Sequence, residues 1–155
     1  MSDLSDILSD KAIDADMVAA NKKGLFQQLA TAAAKQTGLP AKSIAAALNA
    51  REKIGSTGFG GGTAIPHAKI EGLNAVVGYF ARLETPLDFQ SIDNMPVDLV
   101  FLLLSPVDAG AEHLKALARV SRIFRDAQTI AKLRGARSRD ALYALLAGGE
   151  ARDAA

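Results

Sequence analysis

From residue 21 to residue 38 apolar side chains return every third or fourth position. Leu25, Leu29, Ala32 and Ala33 fall on one face, Asn21 stands where a side chain can cap the first turn, and Gly38 ends the run. This spacing predicts a helix. A second is expected directly after it, with Pro40 in the first turn and Ile44, Leu48 and Arg51 at i, i+4 and i+7 until Gly55 breaks the pattern. Arg51 is thereby placed on an apolar face. The period then changes: Ala75–Leu83 reads as a strand, and Val97–Leu104 is so nearly all apolar that it predicts a strand buried on both sides, closed by Pro106. Asp108 is a candidate cap for a helix reaching about Arg125, on which His113, Leu117, Val120 and Phe124 share a stripe. Ser138 is the corresponding cap for a last helix carrying Leu142, Leu145 and Leu146. Helices and strands are interspersed, with no internal repeat, low-complexity tract or linker. The expectation is one compact α/β domain ending in a short tail from Gly148 to Ala155.

Composition narrows the functional classes. A chain of 155 residues can bury roughly 70% of its unfolded surface without a staple. Eighteen Lys and Arg against seventeen Asp and Glu leave a formal charge of +1, so no global field draws in nucleic acid or an anionic membrane. Any anion site must be local. The absence of cysteine excludes disulfides and thiolate metal sites and is compatible with a cytoplasmic location. The opening Met-Ser-Asp-Leu-Ser-Asp is acidic where a secretory signal would be basic and then apolar. The longest apolar run, Leu99–Leu104, is far short of the roughly 20 residues of a spanning helix.

Candidate chemistry concentrates in residues 51–71, where one of only two histidines follows a glycine-dense loop. Gly55, Gly58, Gly60, Gly61 and Gly62 permit φ > 0 and close backbone approach, while Ser56, Thr57 and Thr63 add hydroxyl donors. Such a surface suits phosphate. His67 follows Pro66, which stiffens the segment and holds Ile65 extended, so its imidazole is a candidate phosphoryl acceptor; the plainer reading is a turn cap or a solvent-facing ring. Arg51, with no acidic residue on its stripe, either forks phosphoryl oxygens or reaches water or a nearby carbonyl. His113, early in a helix after the buried strand, either bonds a transferred phosphoryl group and orients His67 or donates to a backbone carbonyl. A P-loop would need a lysine at the end of the loop, and none occurs between Lys53 and Lys69; a dinucleotide fingerprint would need glycine in place of Thr63. Two histidines without a third ligand make a poor zinc site, and Asp88, Asp93 and Asp98 read as turn and strand-end residues.

These residues carry a resemblance. Arg51-Glu52, Gly55-Ser56-Thr57-Gly58 and Ala64-Ile65-Pro66-His67, followed by Ser105-Pro106 and Ala111-Glu112-His113-Leu114-Lys115-Ala116-Leu117-Ala118, resemble the signature of IIA domains of the mannitol/fructose class. These are components of the bacterial phosphoenolpyruvate-dependent phosphotransferase system. Phe59, Gly62 and Ala68 depart from the residues expected at their positions. The resemblance spans residues 4–147, leaving 148–155 as a tail. The lack of a permease or IIB segment and the run Ala118-Arg119-Val120-Ser121-Arg122 are most similar to the free-standing nitrogen-regulatory member. It implies a mixed parallel/antiparallel sheet flanked by helices, and phosphorylation of His67 at Nε2 by a histidine-phosphorylated carrier protein. Arg51 and His113 would be supporting residues and Ser56, Thr57 and Gly58 phosphate-binding loop positions. No metal or bound cofactor, no nucleic acid and no membrane insertion is implied. Regulatory target proteins are the expected further partners. The alternatives are a sugar-specific IIA component passing phosphate to a IIB partner, and a non-enzymatic domain that senses phosphate or binds a partner through the same loop.

Overall fold

The computed structural model describes residues 4–147, so the expected tail at 148–155 lies outside the described residues. Strand β6 (Val97–Pro106) is the centre of the architecture, lying antiparallel to β5 (Val77–Leu87), with Phe80 opposite Phe101 and Ala81 opposite Val100. Its other side is paired in parallel by two short pieces in one register, β3 (Thr63–Ala64), with Thr63 opposite Leu99, and β4 (His67–Ile70), with His67 opposite Leu103. Residues 65 and 66 interrupt that line because proline has no amide to give the ladder. An outer strand, β1 (Ile13–Met17), runs parallel to β5, and β2 (Gly58–Gly60) lies antiparallel to β3 at the opposite edge. The sheet is therefore mixed, and helices cover both of its faces.

The apolar run of β6 explains those layers. Alternate residues point to opposite faces of a strand, so Val100, Leu102 and Leu104 enter one core with Leu25, Phe26, Leu29, Ile44 and Leu48. Leu99, Phe101 and Leu103 enter the other core with Phe80, Val120, Ile123, Leu133, Leu142 and Leu146. The first core is roofed by α1 (Lys22–Thr37) and α2 (Ala41–Ile54), the second by α3 (Gly110–Phe124), α4 (Ala127–Gly135) and α5 (Arg139–Ala147). Val100 on one face and Phe101 on the other are both 0% exposed, which is the burial a nearly all-apolar strand requires on both faces.

Local signals acted where they were local. Asn21 Oδ1 accepts the Gly24 amide at 2.8 Å, and Gly38, at φ 78°, donates to the Ala34 carbonyl as a left-handed stop to α1. Ser138 Oγ accepts the Ala141 amide at 3.0 Å before α5. Several expectations are corrected. Pro40 is the extended residue preceding α2 and not part of its first turn. Asp108 makes no cap: α3 starts at Gly110, preceded by a helical Ala109 with no side-chain bond. Strand β5 begins two residues later and ends four residues later than its apolar pattern, because its pairing with β6 resumes at Leu87 after a register shift. Strand β1 was hidden in an acidic segment, although Ile13, Ala15 and Met17 alternate as a strand should. Helix α4, capped by Asp126, was hidden because only Ile130 and Leu133 of its nine residues are buried.

Candidate functional site

Three elements converge at the end of the parallel line beside β6. Helix α2 brings Arg51 in its last turn, β4 begins with His67, and the first turn of α3 brings His113. Arg51 Nε lies 3.3 Å from His67 Nε2, and the two imidazole rings are 5.6 Å apart between centroids, inclined at 50°. The structure thus unites the three side chains that the sequence singled out from positions far apart in the chain.

Bonding at the first ring settles its tautomer. His67 Nδ1 is 2.7 Å from the Ile65 carbonyl, and a carbonyl only accepts, so Nδ1 carries the proton of the neutral ring. Nε2 is left with its lone pair, toward which Arg51 Nε–H is directed. Partial burial, opposed by the Ile65 hydrogen bond and reinforced by the Arg51 charge, holds the His67 ring below the ordinary histidine pKa. Burial likewise lowers His113, with His67 and Lys69 adding to the effect. Both rings are thereby biased toward the neutral state near pH 7. His113 is 8% exposed, and its Nδ1 lies 2.6 Å from the hydroxyl of fully buried Ser105 in β6.

Arg51 makes the nearby-carbonyl contact, one of the two readings open to it. Besides facing His67, its Nη1 donates to the Gly55 carbonyl at 2.9 Å. The helix-end carbonyl thus steers the guanidinium toward the ring instead of replacing that contact.

The glycine loop departs from a cradle of bare donors. Thr57 is buried, and its amide and hydroxyl both bond the Glu52 carboxylate, the hydroxyl at 2.6 Å. Ser56 Oγ donates to the Phe89 carbonyl at 2.7 Å and accepts the Gly58 amide at 3.1 Å. The hydroxyls of Ser56 and Thr57 and the amides of Thr57 and Gly58 are therefore engaged within the fold. Nor do all five glycines use the conformations that favour glycine: Gly60, Gly61 and Gly62 have φ between 65° and 106°, while Gly55 is extended and Gly58 lies outside that region. Gly58 is needed for space, since a Cβ there would overlap Ser91 Oγ. The far end of the loop is moored as well, by Asp93 to the Gly61 amide at 2.9 Å and by Arg134 to the Gly61 carbonyl at 2.9 Å.

Glu52 is the residue whose importance the sequence concealed. Its carboxylate, in a side chain 9% exposed, also meets Lys22 Nζ at 2.7 Å, and that ammonium in turn donates to the Phe89 carbonyl. From Thr57 the brace continues: the Ile65 amide donates to the Thr57 carbonyl at 3.0 Å, and the Ile65 carbonyl accepts the hydrogen bond from His67 Nδ1. A carboxylate in α2 thus seats the ring through two backbone segments. The only cue was its place beside Arg51, and Lys22, thirty residues away, carried none.

Among the described residues no cluster of three or more His, Asp or Glu is placed to hold a metal ion, and no helix is long and apolar enough to cross a membrane.

Comparison with known proteins bears on the family and the fold. Residues 6–148 match the family described as phosphoenolpyruvate-dependent sugar phosphotransferase system, EIIA 2. A nitrogen regulatory protein of Bradyrhizobium diazoefficiens is 46% identical over 144 residues, covering 93% of this chain and 94% of the relative. The crystal structure of nitrogen regulatory protein IIA-Ntr from Neisseria meningitidis superposes with a TM-score of 0.88 at 34% identity, covering 92% of this chain and 98% of that one. IIA mannitol from Escherichia coli, at 19% identity and a TM-score of 0.75 over 90% and 98% of the two chains, shares the fold.

Proposed function

This chain belongs to the EIIA 2 family of the phosphoenolpyruvate-dependent sugar phosphotransferase system, and from that membership and the geometry at His67 we propose that it accepts a phosphoryl group on Nε2 of that residue from a histidine-phosphorylated carrier protein. The observation that carries the reading is the contact of Arg51 with the unprotonated ring nitrogen of His67, with the His113 ring 5.6 Å away between centroids.

The lone pair of Nε2 attacks phosphorus in line with the carrier's P–N bond. The new N–P bond forms as the old one breaks, and the bonding pair returns to the carrier's ring nitrogen. That ring departs as neutral imidazole when its second nitrogen carries a proton. His67 becomes a phosphorylated imidazolium whose proton stays on Nδ1, donated in a hydrogen bond to the Ile65 carbonyl. Arg51, already aimed at Nε2, needs only a small displacement to exchange the nitrogen for a phosphoryl oxygen, and its charge then opposes the negative charge of the group. His113 supplies a second donor, and the N-terminal end of α3 adds a favourable dipole. Ser56, Thr57 and Gly58, with both hydroxyls and the Thr57 and Gly58 amides committed, act chiefly as the frame that aims Arg51 and His67.

The nitrogen regulatory relatives support a regulatory output. Adding charge to a face that offered a neutral ring changes which partner protein docks there. Incubation with phosphoenolpyruvate, the general phosphotransferase enzyme and the carrier, followed by mass spectrometry, tests the assignment. An acid-labile, base-stable phosphate on His67 within residues 54–69 is expected. Stoichiometric label elsewhere, or reversible binding of inorganic phosphate without covalent change, overturns it.

A further inference from the structure

We propose that Ser105 is a positioning residue, whose buried hydroxyl donates to Nδ1 of His113 and so leaves that ring's proton on Nε2, making His113 a hydrogen-bond donor to the phosphoryl group. The contact itself allows two directions, because Oγ and Nδ1, 2.6 Å apart, can each donate or accept. Burial decides between them. Ser105 is 0% exposed, and its hydroxyl has no other partner among the described residues. Were Nδ1 the donor, the hydroxyl proton would point into the interior without an acceptor, which costs more than a hydrogen bond ordinarily contributes. With the hydroxyl as donor, the proton is satisfied and only acceptor capacity goes unused.

The consequence is a pair of histidines in opposite tautomers. At His67 a carbonyl holds the proton on Nδ1 and leaves a lone pair on Nε2. At His113 a hydroxyl fills Nδ1 and leaves N–H on Nε2. Two rings 5.6 Å apart then offer one nucleophile and one donor. In the reverse arrangement the second ring would turn a lone pair toward an anion and repel it. Ser105 holds this post because it ends the apolar run of β6, opposite Lys69 of β4, where a backbone already paired in the sheet fixes the hydroxyl. A residue of the same strand that packs the core thus sets the chemistry of a ring on the next helix.

The role in transfer rests on the phosphohistidine reading above, but the tautomer does not, so the experiment separates them. Long-range nitrogen–proton correlation spectra of ¹⁵N-labelled protein, recorded where both rings are neutral, should show the His113 proton on Nε2. A proton on Nδ1 overturns the proposal even if His67 is phosphorylated. Ser105→Ala should then move His113 toward the Nδ1–H form and lower the maximal transfer rate about tenfold or more, the scale of one lost hydrogen bond to a charged group. KM for the phosphorylated carrier should hold, and Ser105→Thr should recover the tautomer and most of the rate. An alanine variant that folds, keeps Nε2–H and transfers at the full rate overturns it, as does one with the altered tautomer and no loss of rate. If Ser105→Ala does not fold, the wild-type spectrum and Ser105→Thr decide. Absence of label on His67 in the wild type would remove the phosphohistidine reading and leave the tautomer result intact.

Discussion

Arg51 Nε and His67 Nε2 are 3.3 Å apart, with the guanidinium donating to the lone pair that phosphoryl transfer would use. The contact is possible only while that nitrogen is unprotonated, so burial and the neighbouring charge together bias the ring toward its nucleophilic form. Replacing Arg51 should lower the transfer rate about 100- to 1,000-fold, the range for loss of one preorganised donor to developing charge. Arg51→Lys should recover little, because a single ammonium cannot hold Gly55 and the phosphoryl oxygens in one planar fork. Single-turnover rates with phosphorylated carrier measure both.

His67→Gln should take up no phosphate, whereas His113→Ala should retain a slow reaction, since it loses a donor but keeps nucleophile and guanidinium. Radiolabel from the carrier distinguishes the two, and full labelling of the His67 variant would refute the acceptor assignment.

Acidification should slow transfer, but later than for an ordinary histidine. A free imidazole titrates near pH 6.5, and burial lowers both ring values from there. Transfer should therefore stay flat through pH 7 and down past the ordinary value, falling only as the depressed pKa is crossed. The linkage has the same sign. The unfolded chain binds protons on these rings first, so their contribution to stability is complete above the unfolded value and declines as pH drops below it. A rate profile with its midpoint above pH 7 would contradict the first statement, and NMR titration of the two rings tests both.

Glu52→Ala should destabilise the fold by roughly 3 kcal/mol, as expected when one member of a largely buried charge pair is removed, because it takes the counter-charge from Lys22 and the acceptor from both Thr57 donors. It should also slow transfer by releasing Thr57, and with it the Ile65 carbonyl that seats His67. Glu52→Gln, which can still accept from Thr57, should keep more of the rate than of the stability. Thermal unfolding alongside transfer kinetics shows whether the two losses separate in this way.

Gly58→Ala should be poorly tolerated alone, because the new Cβ meets Ser91. In a Ser91→Gly background most of the loss should vanish. Ser91→Ala by itself should be nearly neutral, since the Ser91 hydroxyl is buried without a partner. Additive effects of the Gly58 and Ser91 changes in a double-mutant cycle would show that the two loops do not touch.

What the chain determined by itself is whatever depends on neighbours in sequence. The nearly all-apolar run 97–104 could be buried only between two layers. Asn21, Gly38 and Ser138 set helix limits through bonds spanning three or four residues. Pro66 placed His67 at the head of a strand, and glycines with one arginine marked where chemistry would gather. Tertiary structure alone decided which donors were free. The hydroxyls of Ser56 and Thr57 look available in sequence, yet Phe89 and Glu52 take them up, and Lys22 completes the brace from another helix. The proton positions on the two histidines belong to the same category. They follow from a carbonyl two residues before one ring and a hydroxyl on the strand preceding the other, and a hydrogen bond exists only once the fold has brought its partners within 3 Å or so of each other.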